Sequence, residues 1–115
     1  MDDVRKFEIH VDDETLTDLN DRLARTRWPE SEPVDDWTQG IPLQYVQDLC
    51  FYWLKDYNWR ATEEALNKIP QYTTEIDGLE IHFLHLRSPI ENAMPLVLTH
   101  GWPGSIIEFM KVLGP

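Results

Sequence analysis

The sequence predicts a mixed α/β chain in which helices come first and a β-hairpin, a buried strand and a capped helix follow. Three observations support this prediction. Apolar residues recur at helical spacing in the first part of the chain, an Asp-Gly pair separates two strand-like runs, and a short apolar run leads into a glycine-containing turn. Because the periodicity changes near residue 70, we expect one domain over residues 1–70 and a second over residues 71–115.

The first domain is expected to begin with an extended segment and a capped helix. Phe7, Ile9 and Val11 alternate with polar residues, which is typical of a strand. Asp12 then occupies the position of an N-cap, and a stripe of leucines follows it. The helix is predicted to end before Pro29, and its leucine stripe comprises Leu16, Leu19 and Leu23.

Two more helices are predicted in this domain. Pro42 suits the first position of a helix whose apolar residues follow the spacing i, i+3, i+4, i+7, i+8 and i+11. These residues are Val46, Leu49, Cys50, Trp53, Leu54 and Tyr57. A shorter helix from about Arg60 to Lys68 is expected to end before Pro70.

The second domain is predicted to open with a β-hairpin. Strands over Gln71–Ile76 and Leu79–Leu86 flank Asp77-Gly78, a pair that favours a two-residue turn of the primed type. The apolar run Leu96-Val97-Leu98 is typical of a fully buried strand in a parallel sheet. The spacing within Ser105–Glu108 is that of a capping box, which predicts a helix after the turn.

The acidic composition excludes some classes of partner. Asp and Glu number 21 against 10 Lys and Arg, a formal net charge of -11, so the surface should repel nucleic acid and anionic membranes. Cys50 is the single cysteine, which excludes an internal disulfide and fits a reducing compartment. No run approaches the ~20 apolar residues of a membrane span. We therefore expect a cytoplasmic protein without nucleic-acid or membrane partners.

The turn His100-Gly101-Trp102-Pro103-Gly104-Ser105 follows the predicted buried strand directly. Ligands of open α/β sheets bind at the carboxyl ends of the strands. Glycines at such a point permit a sharp turn, and Pro103 restricts the backbone of Trp102. We expect the turn to direct the Trp102 N–H toward a developing negative charge, where one such donor contributes about 3–4 kcal/mol.

A strand followed by His-Gly-Trp-Pro-Gly-Ser resembles the oxyanion-hole turn of epoxide hydrolases of the microsomal and juvenile-hormone type. Further residues typical of that family occur in the same order from about Phe7 to Leu113. They are Arg25-Thr26-Arg27-Trp28-Pro29, Trp37, Gly40, Trp53, Tyr57-Asn58-Trp59-Arg60, Asn67, Pro70-Gln71-Tyr72, Ile76-Asp77-Gly78-Leu79 and Ile81-His82-Phe83-Leu84-His85. The resemblance implies a truncated α/β-hydrolase fold, with a helical extension over residues 1–70 and the first part of the hydrolase core over residues 71–115.

The resemblance also implies a function for the turn. In that family an aspartate on a Gly-x-Asp-x-Gly-like elbow attacks an epoxide, and a His–acid pair activates the water that cleaves the resulting ester. Trp102 would contribute its backbone N–H to the oxyanion hole, and His100, Gly101, Pro103 and Gly104 would shape the loop. Neither this elbow nor its serine counterpart occurs in the sequence. The isolated chain is therefore expected to be inactive, and no metal or organic cofactor is implied.

For the other candidate site residues, the sequence favours structural roles over catalytic or metal-binding ones. His82 and His85 are three apart in a predicted strand, so they should point to opposite faces and form a poor metal pair. We expect the remaining tryptophans to lie in the core or to pack between the two domains. They are Trp28, Trp37, Trp53 and Trp59. The tyrosines do not match the acid tyrosines of the family's lid, and these are Tyr45, Tyr52, Tyr57 and Tyr72.

Two other interpretations stay open at the level of sequence. A short interaction module or remnant domain that pairs with another polypeptide would retain the turn without its chemistry. A dehalogenase or esterase of the same fold would differ in the nucleophile, although the helical extension argues against it. The partners expected are an epoxide in the complete enzyme and, for the isolated chain, a second copy or a chain that supplies missing strands.

Overall fold

The computed structural model describes residues 3–113, so the ends of the two predicted domains, residues 1–2 and 114–115, lie outside the described residues. The described part contains three α-helices, a three-stranded antiparallel sheet and a short 3-10 helix. In chain order the elements are β1 (Arg5–Phe7), α1 (Asp13–Ala24), α2 (Leu43–Lys55), α3 (Trp59–Asn67), β2 (Gln71–Ile76), β3 (Leu79–Leu84) and the 3-10 helix (Ile106–Phe109).

The chain divides into two compact units, and the second of the two is continuous in sequence. The first unit combines the residues up to Ile9 with those from Glu64 onwards, and the second comprises His10–Glu63. These units describe how the chain packs. The expected division of the chain between residues 70 and 71 stays a prediction.

At the start of helices α1 and α2 a carboxylate accepts a hydrogen bond from a backbone N–H. Asp12 is the N-cap of α1, as predicted, because its carboxylate accepts a hydrogen bond of 2.6 Å from the Thr15 N–H. Helix α2 begins at Leu43, one residue later than predicted, with Pro42 as its N-cap residue. The Leu43 N–H donates to the Glu32 carboxylate at 3.0 Å. This bond lowers the pKa of Glu32.

The extended segment before α1 is held in this unit by two charged side chains of α3. The Val11 N–H donates to Glu63 Oε2 at 2.8 Å, and the Val11 carbonyl accepts from Arg60 at 2.6 Å. Arg60 also donates to Glu63 at 2.8 Å, and the Trp59 indole N–H donates to the same carboxylate at 3.0 Å. Glu63 is only 8% exposed, so these donors compensate a buried charge.

The other unit contains the sheet, in the order β1-β2-β3. The hairpin is the predicted one, with Gln71 opposite Leu84 and Ile76 opposite Leu79. Its turn has φ of 53° at Asp77 and 78° at Gly78, the positive values that a primed turn requires. Strand β3 ends at Leu84, two residues earlier than expected.

The predicted first strand is shorter than its alternating pattern indicates. Strand β1 pairs with β2 only over Arg5–Phe7, and Ile9 lies beyond it. The Ile9 N–H donates to Asn67 Oδ1 at 2.8 Å, and Asn67 Nδ2 donates to the Ile9 carbonyl at 2.8 Å. The amide of Asn67 thus satisfies both backbone groups of Ile9, in the way that a neighbouring strand would.

The prediction of a buried strand over Leu96-Val97-Leu98 is wrong for this structure. The three residues form no strand, and Leu96 and Val97 are 79% and 86% exposed. A central strand needs backbone partners on both sides, and within residues 3–113 the sheet ends at β1 and β3. Without such partners the run cannot form a ladder, whatever its hydrophobicity.

The predicted capped helix after the turn is reduced to the 3-10 helix Ile106–Phe109. Ser105 Oγ accepts from the Ile107 N–H at 3.3 Å, and the Ser105 carbonyl accepts from the Glu108 N–H at 3.1 Å. Ser105 is therefore an N-cap, as the capping box predicts, but the helix ends after four residues. Within residues 3–113 no helix has the length and apolar character needed to cross a membrane.

The hydrogen bonds to Glu63 generate a prediction about pH. The Val11 N–H lowers the pKa of the Glu63 carboxyl below its ordinary value of 4.5, and Arg60 and Trp59 act in the same direction. A depressed pKa stabilises the fold above the ordinary value, and this stabilisation is lost as the pH falls through the folded-state pKa. We expect the urea concentration at the midpoint of unfolding to decrease as the pH is lowered below about 4.5. In Glu63→Gln this midpoint should be lower than in the native protein and should depend less on pH.

The neighbouring carboxylate provides the matched control. Glu64 lies in the same helix but is 73% exposed and bonds only to Lys68 among the described residues. Glu64→Gln should leave both the midpoint and its pH dependence nearly unchanged. Equal effects of the two substitutions would refute the role assigned to Glu63.

Candidate functional site

The segment from His100 to Ser105 forms a closed turn in the unit that contains the sheet. The Gly104 N–H donates to the Gly101 carbonyl at 2.8 Å, so Trp102 and Pro103 occupy the two central positions. The peptide bond between Trp102 and Pro103 is cis. The Trp102 side chain is 96% exposed, and within residues 3–113 its N–H donates to no protein acceptor. The turn thus presents a free backbone donor beside an exposed indole.

His100 contacts the same carbonyl that closes the turn. Its Nδ1 lies 3.0 Å from the Gly101 oxygen, so the tautomer with a proton on Nδ1 donates to it. This geometry agrees with the predicted role of His100 in orienting the loop. That role, and the catalytic role of the Trp102 N–H, stay predictions, because an oxyanion hole is defined by the reacting atoms that it binds.

The two glycines of the turn have different surroundings. A Cβ at Gly104 would lie 2.9 Å from the Gly101 oxygen and would overlap the carboxylate of Glu108. A Cβ at Gly101 would meet nothing within 4 Å, and its φ lies outside the left-handed region. A side chain at position 104 would therefore force Glu108 and the Gly101 carbonyl to shift, whereas Gly101 is not constrained by its neighbours here.

His82 lies in strand β3, whereas His85 follows the last residue of that strand, Leu84. His82 Nε2 lies 2.9 Å from Gln71 Oε1, and the Gln71 amide nitrogen donates to the Leu66 carbonyl at 2.9 Å. This second bond fixes the orientation of the Gln71 amide, so the His82 nitrogen must be the donor. Burial lowers the pKa of His82, which favours the neutral ring. Among residues 3–113 no cluster of His, Cys, Asp and Glu suited to a metal ion is found.

The aromatic residues of the His10–Glu63 unit lie around grooves more than in a core. A cavity of about 510 Å³ is lined mainly by apolar side chains, including Leu16, Leu19, Leu49, Trp53, Tyr57 and Trp59. Trp28 lines a second groove together with the half-buried Cys50, and Trp37 packs edge to face on Tyr45. Trp28, Trp37 and Trp53 are 38%, 59% and 44% exposed, so the expectation of a core position is wrong for these three residues.

Sequence reasoning identified the turn but missed the long-range contacts of Glu63 and the contact of Glu108 with Gly104. Glu63 was visible only as one of many acids, and its partner Val11 is 52 residues away. Glu108 was recognised for its capping-box position, but its position against Gly104 depends on the path of the turn. The spacing of Trp59, Arg60 and Glu63 on one helix, three and four residues apart, was the available signal for the first of them.

Comparison with known proteins identifies the class to which this fold and turn belong. Residues 4–109 match the family described as "Epoxide hydrolase N terminus". A Stigmatella aurantiaca protein, named provisionally as an epoxide hydrolase, is 56% identical over 96% of this chain and 25% of its own. The juvenile hormone epoxide hydrolase of Manduca sexta is 36% identical over 96% of this chain and 25% of its own length. The structure of Aspergillus niger epoxide hydrolase superimposes with a TM-score of 0.86 and is 37% identical in sequence. The superposition covers 95% of this chain and 29% of that one.

The chain therefore belongs to the epoxide hydrolase N-terminus family, of the microsomal and juvenile-hormone type. It spans about a quarter of the length of the curated relatives that it matches. The mixed fold of helices and antiparallel sheet corresponds to the N-terminal part of the solved epoxide hydrolases.

Because Gly101 and Gly104 have different surroundings, substitution by alanine should affect the turn differently at the two positions. Gly104→Ala should displace Glu108 and weaken the bond to the Gly101 carbonyl, at a cost of about 1 kcal/mol or more to the turn. Gly101→Ala should be tolerated. The temperature coefficient of the residue-104 amide proton, measured by NMR, reports this bond. The coefficient should become as negative as that of a free amide in Gly104→Ala and stay unchanged in Gly101→Ala. The opposite result would reverse our interpretation.

Proposed function

We propose that this chain forms the N-terminal part of an epoxide hydrolase, which in its complete form adds water to an epoxide and yields a vicinal diol. The observation that supports the proposal most strongly is the closed turn around Trp102, found in a chain that matches the epoxide hydrolase N-terminus family over residues 4–109. The relatives named as epoxide hydrolases are about four times as long as this chain.

The proposed chemistry assigns one step to this chain. In the complete enzyme a carboxylate opens the epoxide and forms an ester, and an activated water then attacks the ester carbonyl. Negative charge develops on the carbonyl oxygen, and the Trp102 N–H is free to donate to it. Collapse of this intermediate releases the diol and restores the carboxylate. His100, Gly101, Pro103 and Gly104 hold the donor in place, and no metal or organic cofactor takes part.

The same proposal specifies the fold and the partners. Residues 71–115 would begin an α/β-hydrolase core, and Leu96-Val97-Leu98 would become a buried strand once neighbouring strands are supplied. The exposure of this run, and the edge of β3 that is unpaired among residues 3–113, favour association with another polypeptide. In the complete enzyme the small-molecule partner is an epoxide, and the acidic surface disfavours nucleic acid and anionic membranes.

We expect the 115-residue chain alone to form no diol from styrene oxide above the uncatalysed rate, because the sequence contains no nucleophile elbow. Fusion to the complementary part of the Stigmatella relative, which shares 56% identity here, should give diol formation. Chiral chromatography of the products after incubation measures both. Diol formed by the purified chain alone, or none formed by a folded fusion, would contradict the proposal.

Light scattering on the same preparations provides a control for association. The chain alone should be larger than a monomer at micromolar concentration, and the fusion should not associate through the same surfaces. A monodisperse monomer of the chain alone would count against the predicted association. Capture of a second polypeptide that carries the missing strands and the elbow would instead favour an interaction module, the second function compatible with the exposed apolar run.

A further inference from the structure

Glu108 lies back over the turn that contains Trp102. The space that a side chain at position 104 would occupy is filled by the carboxyl group of Glu108, whose Oε1 and Cδ are the two atoms nearest to it. The Gly101 carbonyl is the third. The absence of a side chain at Gly104 therefore lets two groups approach its Cα, the carbonyl that closes the turn and the Glu108 carboxylate.

The backbone of Glu108 is tied to the same segment. Its N–H donates to the Ser105 carbonyl at 3.1 Å, within the first turn of the 3-10 helix. Ser105 is extended, with φ of -152°, and its Oγ accepts from the Ile107 N–H. Residue 108 therefore contacts the turn twice, through its backbone at Ser105 and through its side chain at Gly104.

The Glu108 carboxylate has no hydrogen-bond or ion-pair partner among residues 3–113, so its contact with the turn is one of packing at Gly104. Its contact with the loop is therefore the interaction that the structure assigns to it.

We propose that Glu108 is a positioning residue, whose side chain fixes Gly104 and thereby sets the direction of the Trp102 N–H. Its relevance to epoxide hydrolysis rests on the proposed function, but the positioning itself does not. The length of the side chain matters, because the carboxyl group must reach back over four residues to Gly104. Glutamine preserves this length and shape, whereas aspartate is one methylene shorter.

NMR spectra of the 15N-labelled chain test the proposal without any enzymatic assay. In Glu108→Ala and Glu108→Asp the amide signals of Trp102 and Gly104 should shift, and exchange of the Gly104 amide should accelerate several-fold. Glu108→Gln should keep the native signals. Glu91→Ala, which removes an exposed acid from the loop before the turn, is the control for net charge and should leave both signals in place.

The amides of β2 and β3 separate positioning from a general structural role. Shifts confined to the turn, with Gln restoring the native spectrum, support the proposal. Unchanged Trp102 and Gly104 signals in Glu108→Ala would overturn it, and so would equal changes throughout the hairpin. If the turn responds as expected and the fusion protein still forms no diol, the proposed function fails while the role of Glu108 stands.

Discussion

The structure depends on one polar face of helix α3, which takes the place of a neighbouring strand. Glu63 and Arg60 bind the backbone of Val11, and Asn67 binds the backbone of Ile9. The two periodicities agree, since two extended residues advance about 6.6 Å and four helical residues about 6 Å. A side chain at every fourth helical position can therefore meet every second residue of the extended segment. A strand continued over Ile9 and Val11 would need a sheet partner, which the helix makes unnecessary.

The consequences of this arrangement continue into the sheet. Asn67 Oδ1 also lies 3.3 Å from the side-chain nitrogen of Gln71, Nε2, and this nitrogen donates to the Leu66 carbonyl as well. Gln71 in turn accepts from His82, whose ring packs edge to face on Phe7. Leu66 and Gln71 are each only 4% exposed, so the buried part of this unit is a polar network around one leucine. Such a network is stable only when all its members are bonded, and no buried side-chain N or O among residues 3–113 lacks a partner.

The sequence predicted local structure well and long-range pairing poorly. The Asp12 cap, the starts of the three helices and the Asp77-Gly78 turn are set by contacts within a few residues, and each was predicted within one position. The end of helix α1 was predicted less well, because the helix ends at Ala24 and not just before Pro29. The strand at Leu96–Leu98 was wrong because hydrophobicity indicates burial without providing backbone partners. The turn at His100–Ser105 was recognised from its residues, but the contact between Glu108 and Gly104 depends on three-dimensional geometry that periodicity does not contain.

Amide hydrogen exchange of the 115-residue chain measures the central interaction most directly. If side chains of α3 replace a strand, the amides of Ile9 and Val11 should exchange at least about tenfold more slowly than those of Leu96 to Leu98. Asn67→Ala should abolish the protection of Ile9 and leave that of the β2–β3 hairpin largely intact. Exchange at Ile9 and Val11 as fast as in the exposed apolar run, or unchanged protection of Ile9 in Asn67→Ala, would contradict the role assigned to α3.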